Sequence, residues 1–305
     1  DLLRDRGRME EAVLEWAAVI GNDGSQVSGV MRRVREIEED RETVVLPLLE
    51  QLRQPPTSGA RLRAGAQIAL EAGAFGEAKT LAEAALDGLP DRTRRGFLTA
   101  LARQAQEVSA MEVALWAYET LREDAADGAE TRALDQRITD AALATGDTVR
   151  ALEAQQSIAD DLPKGSIERE QALAEIIRIG IERGGVGTRE LLEAFTEEFP
   201  DAPQVDEFLM TLAVRLDAGG DREAAQSLLE GAAGPKSAIE RAYLYLAAGE
   251  VVPAREAFQG ALSGVSAEVA TEVISLLDVL DRLEGETLTV FMRSAVLAHQ
   301  QRTEE

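Results

Sequence analysis

The stretch that decides the fold runs from Glu71 to Asp91 and reads EAGAFGEAKTLAEAALDGLPD. In it Gly73, Ala78, Ala85 and Pro90 are spaced by five, seven and five residues. On either side of Gly73, Ile68, Ala69 and Ala72, then Phe75, Ala78, Leu81, Ala82, Ala85 and Leu86, recur at three and four residues. That period describes two amphipathic helices joined by a turn. Glycine suits the end of the first because it enters the left-handed conformation without a Cβ penalty. Ala78 and Ala85 let helix axes approach closely, and Pro90 cannot continue the second helix.

One helical hairpin cannot bury both of its faces, so the pattern has to recur, and it does. Gly146, Ala151, Ile158 and Pro163 repeat the same offsets, as do Gly220, Ala225 and Ala232, and Gly249, Ala254 and Ala261. Gly7, Ala12 and Val19 form another copy, and Ser109, Ala114 and Leu121 one with serine in the turn. Weaker copies place turns near Asp40 (with Val45 and Leu52), near Gly184 (with Phe195 and Pro200) and at Gly285. Successive turns are then separated by 33, 33, 36, 37, 38, 36, 29 and 36 residues. The 29-residue interval predicts a shortened helix pair within 221–249.

This pattern resembles the tetratricopeptide repeat (TPR) family over nearly the whole chain. In that family each repeat is a helix A, a turn and a helix B, with an aromatic residue four positions after the first alanine of helix B. Trp16, Tyr118 and Phe258 stand there, four residues after Ala12, Ala114 and Ala254. Helix A keeps the family pattern at Leu209, Leu212, Ala213 and Leu216 but departs from it at Leu62, Gly65, Ala66 and Ala69, so the repeats are degenerate. The expected fold is all-α: a right-handed α-solenoid of about eight and a half helix-turn-helix repeats, one domain over residues 1–305. In such a solenoid each repeat touches its neighbours, and the helix A faces line a concave channel. Loops are expected at 54–58, 89–93, 162–166, 199–204 and 233–237. The apolar stripe of Met9, Ala12, Val13, Trp16, Ala17 and Ile20 belongs to a helix B whose helix A would precede residue 1, so the expectation is a segment of a longer protein.

Composition narrows the function. The net charge of −24 disfavours nucleic acid and an anionic membrane surface, both of which reward basic surfaces. No apolar run is long enough to insert into a bilayer. With no cysteine, thiolate metal sites and cysteine nucleophiles are ruled out. One histidine cannot make HExxH, and His299, in the last helix, reads as a solvated or packed residue rather than a base. GAAGPKS lacks P-loop spacing, and the GGVG at 184–187 reads as an inter-helix turn. Acidic runs such as Glu36, Glu39 and Asp40, or Glu197 and Glu198, read as solvated faces, and Trp16 and Trp116 as core. No catalytic residue, metal or cofactor is therefore expected.

What remains is a surface, and the resemblance implies a non-enzymatic scaffold that binds a protein or peptide. The alternative is a sensor or regulatory arm of a larger signalling protein or ATPase. The Lys, Asn and Arg clamp with which some TPR modules hold the carboxylate of chaperone tails is missing: Asn22 is the only asparagine, and Lys79, Lys164 and Lys236 are scattered. Aligning the repeats on their turns places Arg63, Gln67, Glu71, Arg103, Gln106, Gln136, Asp140, Gln171, Arg178, Glu182, Met210, Asp217 and Tyr243 toward the channel. Arg63, Arg103 and Arg178 recur there at related positions, so the channel need not share the acidity of the whole chain, and a segment with basic and apolar anchors fits it best.

Overall fold

The computed structural model describes residues 8–21, 24–37, 40–87, 89–125, 128–183 and 187–300. The turns expected at Gly7 and near Gly184, together with Asn22, Glu39 and the side chain of Met9, lie outside the described residues. Seventeen α-helices and no strand occur among the described residues. By internal contacts they fall into two compact units, residues 1–161 and 162–305.

The first unit holds α1 (Met9–Val19), α2 (Val27–Arg35), α3 (Arg41–Arg53), α4 (Gly59–Ala72), α5 (Phe75–Leu86), α6 (Asp91–Glu107), α7 (Met111–Glu123), α8 (Gly128–Thr145) and α9 (Thr148–Asp161). The second holds α10 (Ile167–Glu182), α11 (Thr188–Glu198), α12 (Gln204–Ala218), α13 (Arg222–Leu229), α14 (Pro235–Ala248), α15 (Val251–Ala261), α16 (Ala267–Arg282) and α17 (Gly285–His299). Six consecutive A/B pairs, α4–α5 to α14–α15, form the repeats within these units, while α1, α2 and α3 and then α16 and α17 pack in other ways.

One turn is built five times over. After α4, the Ala74 N–H donates to the Ala69 carbonyl (2.9 Å) and the Gly73 N–H to that of Leu70 (3.1 Å). The same two bonds, six-to-one and five-to-two, close α6 at Ser109 and Ala110, α8 at Gly146 and Asp147, α12 at Gly220 and Asp221, and α14 at Gly249 and Glu250. Both bonds need one left-handed residue, and φ is +88° at Gly73, +60° at Ser109, +76° at Gly146, +89° at Gly220 and +81° at Gly249. Four residues beyond the second donor, Ala78, Ala114, Ala151, Ala225 and Ala254 are completely buried. The turn residue and the alanine therefore act together: one reverses the chain, and the other lets helix B lie close against helix A.

The aromatic position behaves as the pattern expects, with Trp16, Tyr118 and Phe258 buried. In the α8–α9 pair it is Gln155, a buried amide that donates to Gln136 Oε1 at 3.4 Å. Trp116 is only half-buried. Gly65, where helix A breaks the family pattern, sits where three helices meet: a Cβ there would lie 3.2 Å from a Leu81 methyl and 3.3 Å from one of Leu52.

Three expectations change. The loops at 89–93 and 233–237 are shorter, because α6 begins at Asp91, just after Pro90, and α14 at Pro235. Proline is favourable there, since the amide hydrogen it lacks would have had no partner in the first turn of a helix. Asp40 has the left-handed φ of +50° but does not close a hairpin: α2 ends at Arg35 and packs chiefly on α4, while α1 packs on α3. Gly285 opens α17, whose chief neighbour is α14. The shortened pair is present as α13, only eight residues long.

Polar links between helices fasten the second unit. Asp206 on α12 accepts from the N–H groups of Lys236 and Ser237 (both 2.9 Å) and so caps α14. Glu198 at the end of α11 accepts from the Gly165 N–H at 3.0 Å and from Arg169 Nε at 2.9 Å. The backbone hydrogen bond from Gly165, then the charges of Arg169 and Lys164, hold the Glu198 carboxyl below its ordinary pKa.

The turns and links are open to two tests. Gly73→Ala should cost about 1–2 kcal/mol in urea unfolding, whereas Ser109→Gly should raise stability by up to about 1 kcal/mol, because only the first puts a Cβ on a left-handed residue. Glu198→Gln should cost about 1 kcal/mol at neutral pH. Since the folded pKa is depressed, that deficit should be full above the ordinary carboxylate range and vanish as acid protonates Glu198 in the parent protein, which urea melts across pH would record.

Candidate functional site

The exposed side of the A helices is the expected binding face. In the first unit it is a mixed-charge strip with its own internal bonds. Arg35 at the end of α2 grips Glu71 at the end of α4 through two contacts of 2.7 Å, and the Glu71 side chain is only 9% exposed. One A helix further on, Gln104 Nε2 donates to the Gln67 carbonyl at 2.9 Å, tying α6 to α4. Gln106 turns toward helix B, where its Oε1 accepts from the Tyr118 hydroxyl at 2.8 Å. Gln136 donates to Asp140 at 3.0 Å. Arg63 is half-buried. Arg103 stands out: its side chain is 77% exposed, with Glu107 3.8 Å away on the same helix.

The second unit divides the remaining positions. Gln171, Arg178 and Glu182 lie exposed on α10, Arg178 paired with Glu175. Met210 and Tyr243 are half-buried and Asp217 is buried, with the end of α17 and Gln300 over this part of the face. The His299 ring stacks on Tyr243 with centroids 3.7 Å apart and planes 6° from parallel, while Tyr243 meets Phe258 edge-on at 5.2 Å. Burial, then the nearby Glu272 and Glu240 carboxylates, raises the Tyr243 pKa, so the phenol stays neutral in the physiological range. His299 Nε2 lies 2.7 Å from Glu240 Oε2. Gln300 Nε2 donates to Asp217 Oδ2 at 2.6 Å, and Arg222 Nε donates to Asp217 Oδ1 at 2.7 Å. The side chains of Glu240 and Asp217 are 6% and 5% exposed. Met210 lines a cavity of about 270 Å³ beside His299.

The fold also holds a buried polar network that sequence reasoning misses. Asp135 on α8, 1% exposed, accepts from Arg122 Nε of α7 at 2.5 Å and from Ser157 of α9 at 2.7 Å. Arg122 also donates to Ser157 at 2.9 Å, and Arg150 approaches Glu119 at 3.4 Å. These side chains line a cleft of about 200 Å³. The one signal in the sequence is an aspartate at a position of apolar period, but its partners sit 13 and 22 residues away on other helices. Because each donor is matched by an acceptor, the network locks three helices together.

Comparison with known proteins adds little to this geometry. No family model matches the chain, and no curated protein matches it. Among solved structures, a tetratricopeptide repeat protein from Parabacteroides merdae is 19% identical, covering 83% of this chain and 99% of its own, at a TM-score of 0.30. A thermophilic TPR protein of Thermus thermophilus is 16% identical over 62% of this chain and all of its own, at 0.30. A Rap protein in complex with competence and sporulation factor is 12% identical over 94% and 98%, at 0.32. At such scores the assignment rests on the repeats themselves. Five identical turns, each followed by a buried alanine, define a TPR-like α-solenoid of stacked A/B helix pairs.

Removing the buried acid tests the network. Asp135→Ala removes the shared acceptor of Arg122 and Ser157 and should cost about 1–3 kcal/mol in chemical denaturation, since the half-exposed Arg122 regains water, with Asp135→Asn costing less because an amide oxygen can still accept.

Proposed function

We propose that this chain is a non-enzymatic scaffold that binds a protein or peptide segment through the exposed side of its A helices. The observation that supports this most directly is the row six residues before the turns: Gln67, Arg103 and Asp140 in the first unit, Arg178, Val214 and Tyr243 in the second. The alanines five residues after the turns are wholly buried and apolar, whereas this row is mostly polar and changes from repeat to repeat. A surface that varies on an otherwise repeated frame serves recognition, with affinity gathered from several modest contacts along a stack of helices. In the first unit Glu71 is already neutralised by Arg35, so the long-stemmed cations Arg63 and Arg103 suit a segment that carries carboxylates and apolar anchors rather than the basic anchors expected from the sequence. The finer assignment of Gln106 and Gln136 is to fix this strip rather than to meet the partner, since each bonds to the neighbouring helix.

The test is a pull-down from the source cells with the unaltered chain, an Arg63→Glu/Arg103→Glu variant and a Lys79→Glu control on helix B. A discrete partner should be retained by the control and weakened at least about ten-fold by the double reversal, with melting temperatures unchanged. Equal retention by all three chains would overturn the assignment of this face.

A further inference from the structure

The last helix departs from the repeats before it. From α4–α5 to α14–α15 helix B folds back on its own helix A, but the chief neighbour of α17 is α14, three helices earlier in the chain. It runs antiparallel to α14: Met292 and Val296 lie by Leu246–Gly249, while His299 lies by Tyr243 and Glu240. Gln300 reaches on to Asp217 of α12. The end of α17 therefore spans the seam between two successive A helices, on the face where other repeats display their polar row.

Its seat is shallow: Met292 and Val296 are the buried residues of α17, and open clefts of about 450 Å³ and 270 Å³ border it. The floor under its end is acidic, with Glu240 and Asp217 both deeply buried and facing one imidazole and one amide. A buried carboxylate is satisfied best by a permanent cation; among the described residues Asp217 has Arg222, whereas Glu240 faces the His299 imidazole.

We propose that the α12–α14 face is a seat for a helical segment, that α17 is its resident occupant, and that a partner helix of matching chemistry exchanges with it. The matching segment carries two apolar side chains four residues apart and, three residues further on, a basic residue followed by a hydrogen-bond donor, as Met292, Val296, His299 and Gln300 do. Lysine or arginine at the histidine position would pair with Glu240 more strongly than imidazole does. The inference rests on the scaffold reading and adds the site, the class of partner and its control. While α17 is seated, the apparent affinity for a partner is reduced by the fraction of molecules that are open.

The probe is a labelled synthetic peptide with the sequence of residues 285–300, added to the full chain. It should bind the His299→Ala/Gln300→Ala chain at least ten-fold more tightly than the unaltered chain, and Glu240→Gln with Asp217→Asn in that background should remove the gain. A peptide with lysine at the position of His299 should bind more tightly again. On the unaltered protein, hydrogen exchange should show the amides of α17 opening at least ten-fold more readily than those of α14. Equal peptide affinity for the two chains, absence of binding included, overturns the proposal, as does equal protection of α17 and α14, which would make α17 a fixed part of the core. Either result leaves the assignment of Arg63 and Arg103 in the first unit standing, because the peptide assay does not involve them.

Discussion

A single left-handed residue at the end of helix A governs most of this structure. It allows the two crossed amide bonds that satisfy the last carbonyls of the helix, and it reverses the chain within two residues. Without that reversal the alanine five positions on would not face helix A, and the close approach of the pair would be lost. Repeated at Gly73, Ser109, Gly146, Gly220 and Gly249, the same local constraint produces the same hairpin from sequences that share few other residues. Where the constraint is relaxed the pairing changes too. Asp40 lies five residues beyond the end of α2, and there α2 and α3 find their neighbours elsewhere.

The repeats are legible in the sequence because a turn residue and a small residue at fixed separation are a one-dimensional signal. Ser109 is readable as a turn although it is not glycine, since Ala114, Tyr118 and Leu121 keep its register. The expected face of the A helices is harder to read. Periodicity says which side of a helix points away from its partner, but not whether another element lies over it. Thus Arg103 is open as expected, whereas Asp217 and Tyr243 sit beneath α17. Gln106 departs from expectation for a related reason: it lies three residues before the turn rather than six, and from there it reaches Tyr118. The Asp135 network escapes sequence reading because its members come from three helices, and no spacing along the chain marks it.

The polar links show how an acidic chain can stack. Arg122, Arg132 and Arg169 each meet a carboxylate on a neighbouring helix within their unit, so part of the arginine complement serves the joints between helices. Most of the surplus of 56 acidic over 32 basic residues is left on solvated faces, where it keeps copies of the chain apart. Charge thus separates into two roles, cohesion between repeats and repulsion between molecules.

The short α13 carries a mechanical consequence. At eight residues it is about 12 Å long, against about 22 Å for the fifteen-residue α12, so part of the flank of α12 has no helix B across it and a groove of about 580 Å³ opens between α11, α12 and α13. In a linear array, cohesion is the sum of nearest-neighbour interfaces. Pulled from its ends or warmed, the second unit would part first along this groove, between α11 and α12, because α12 stays tied to α14 through Asp206.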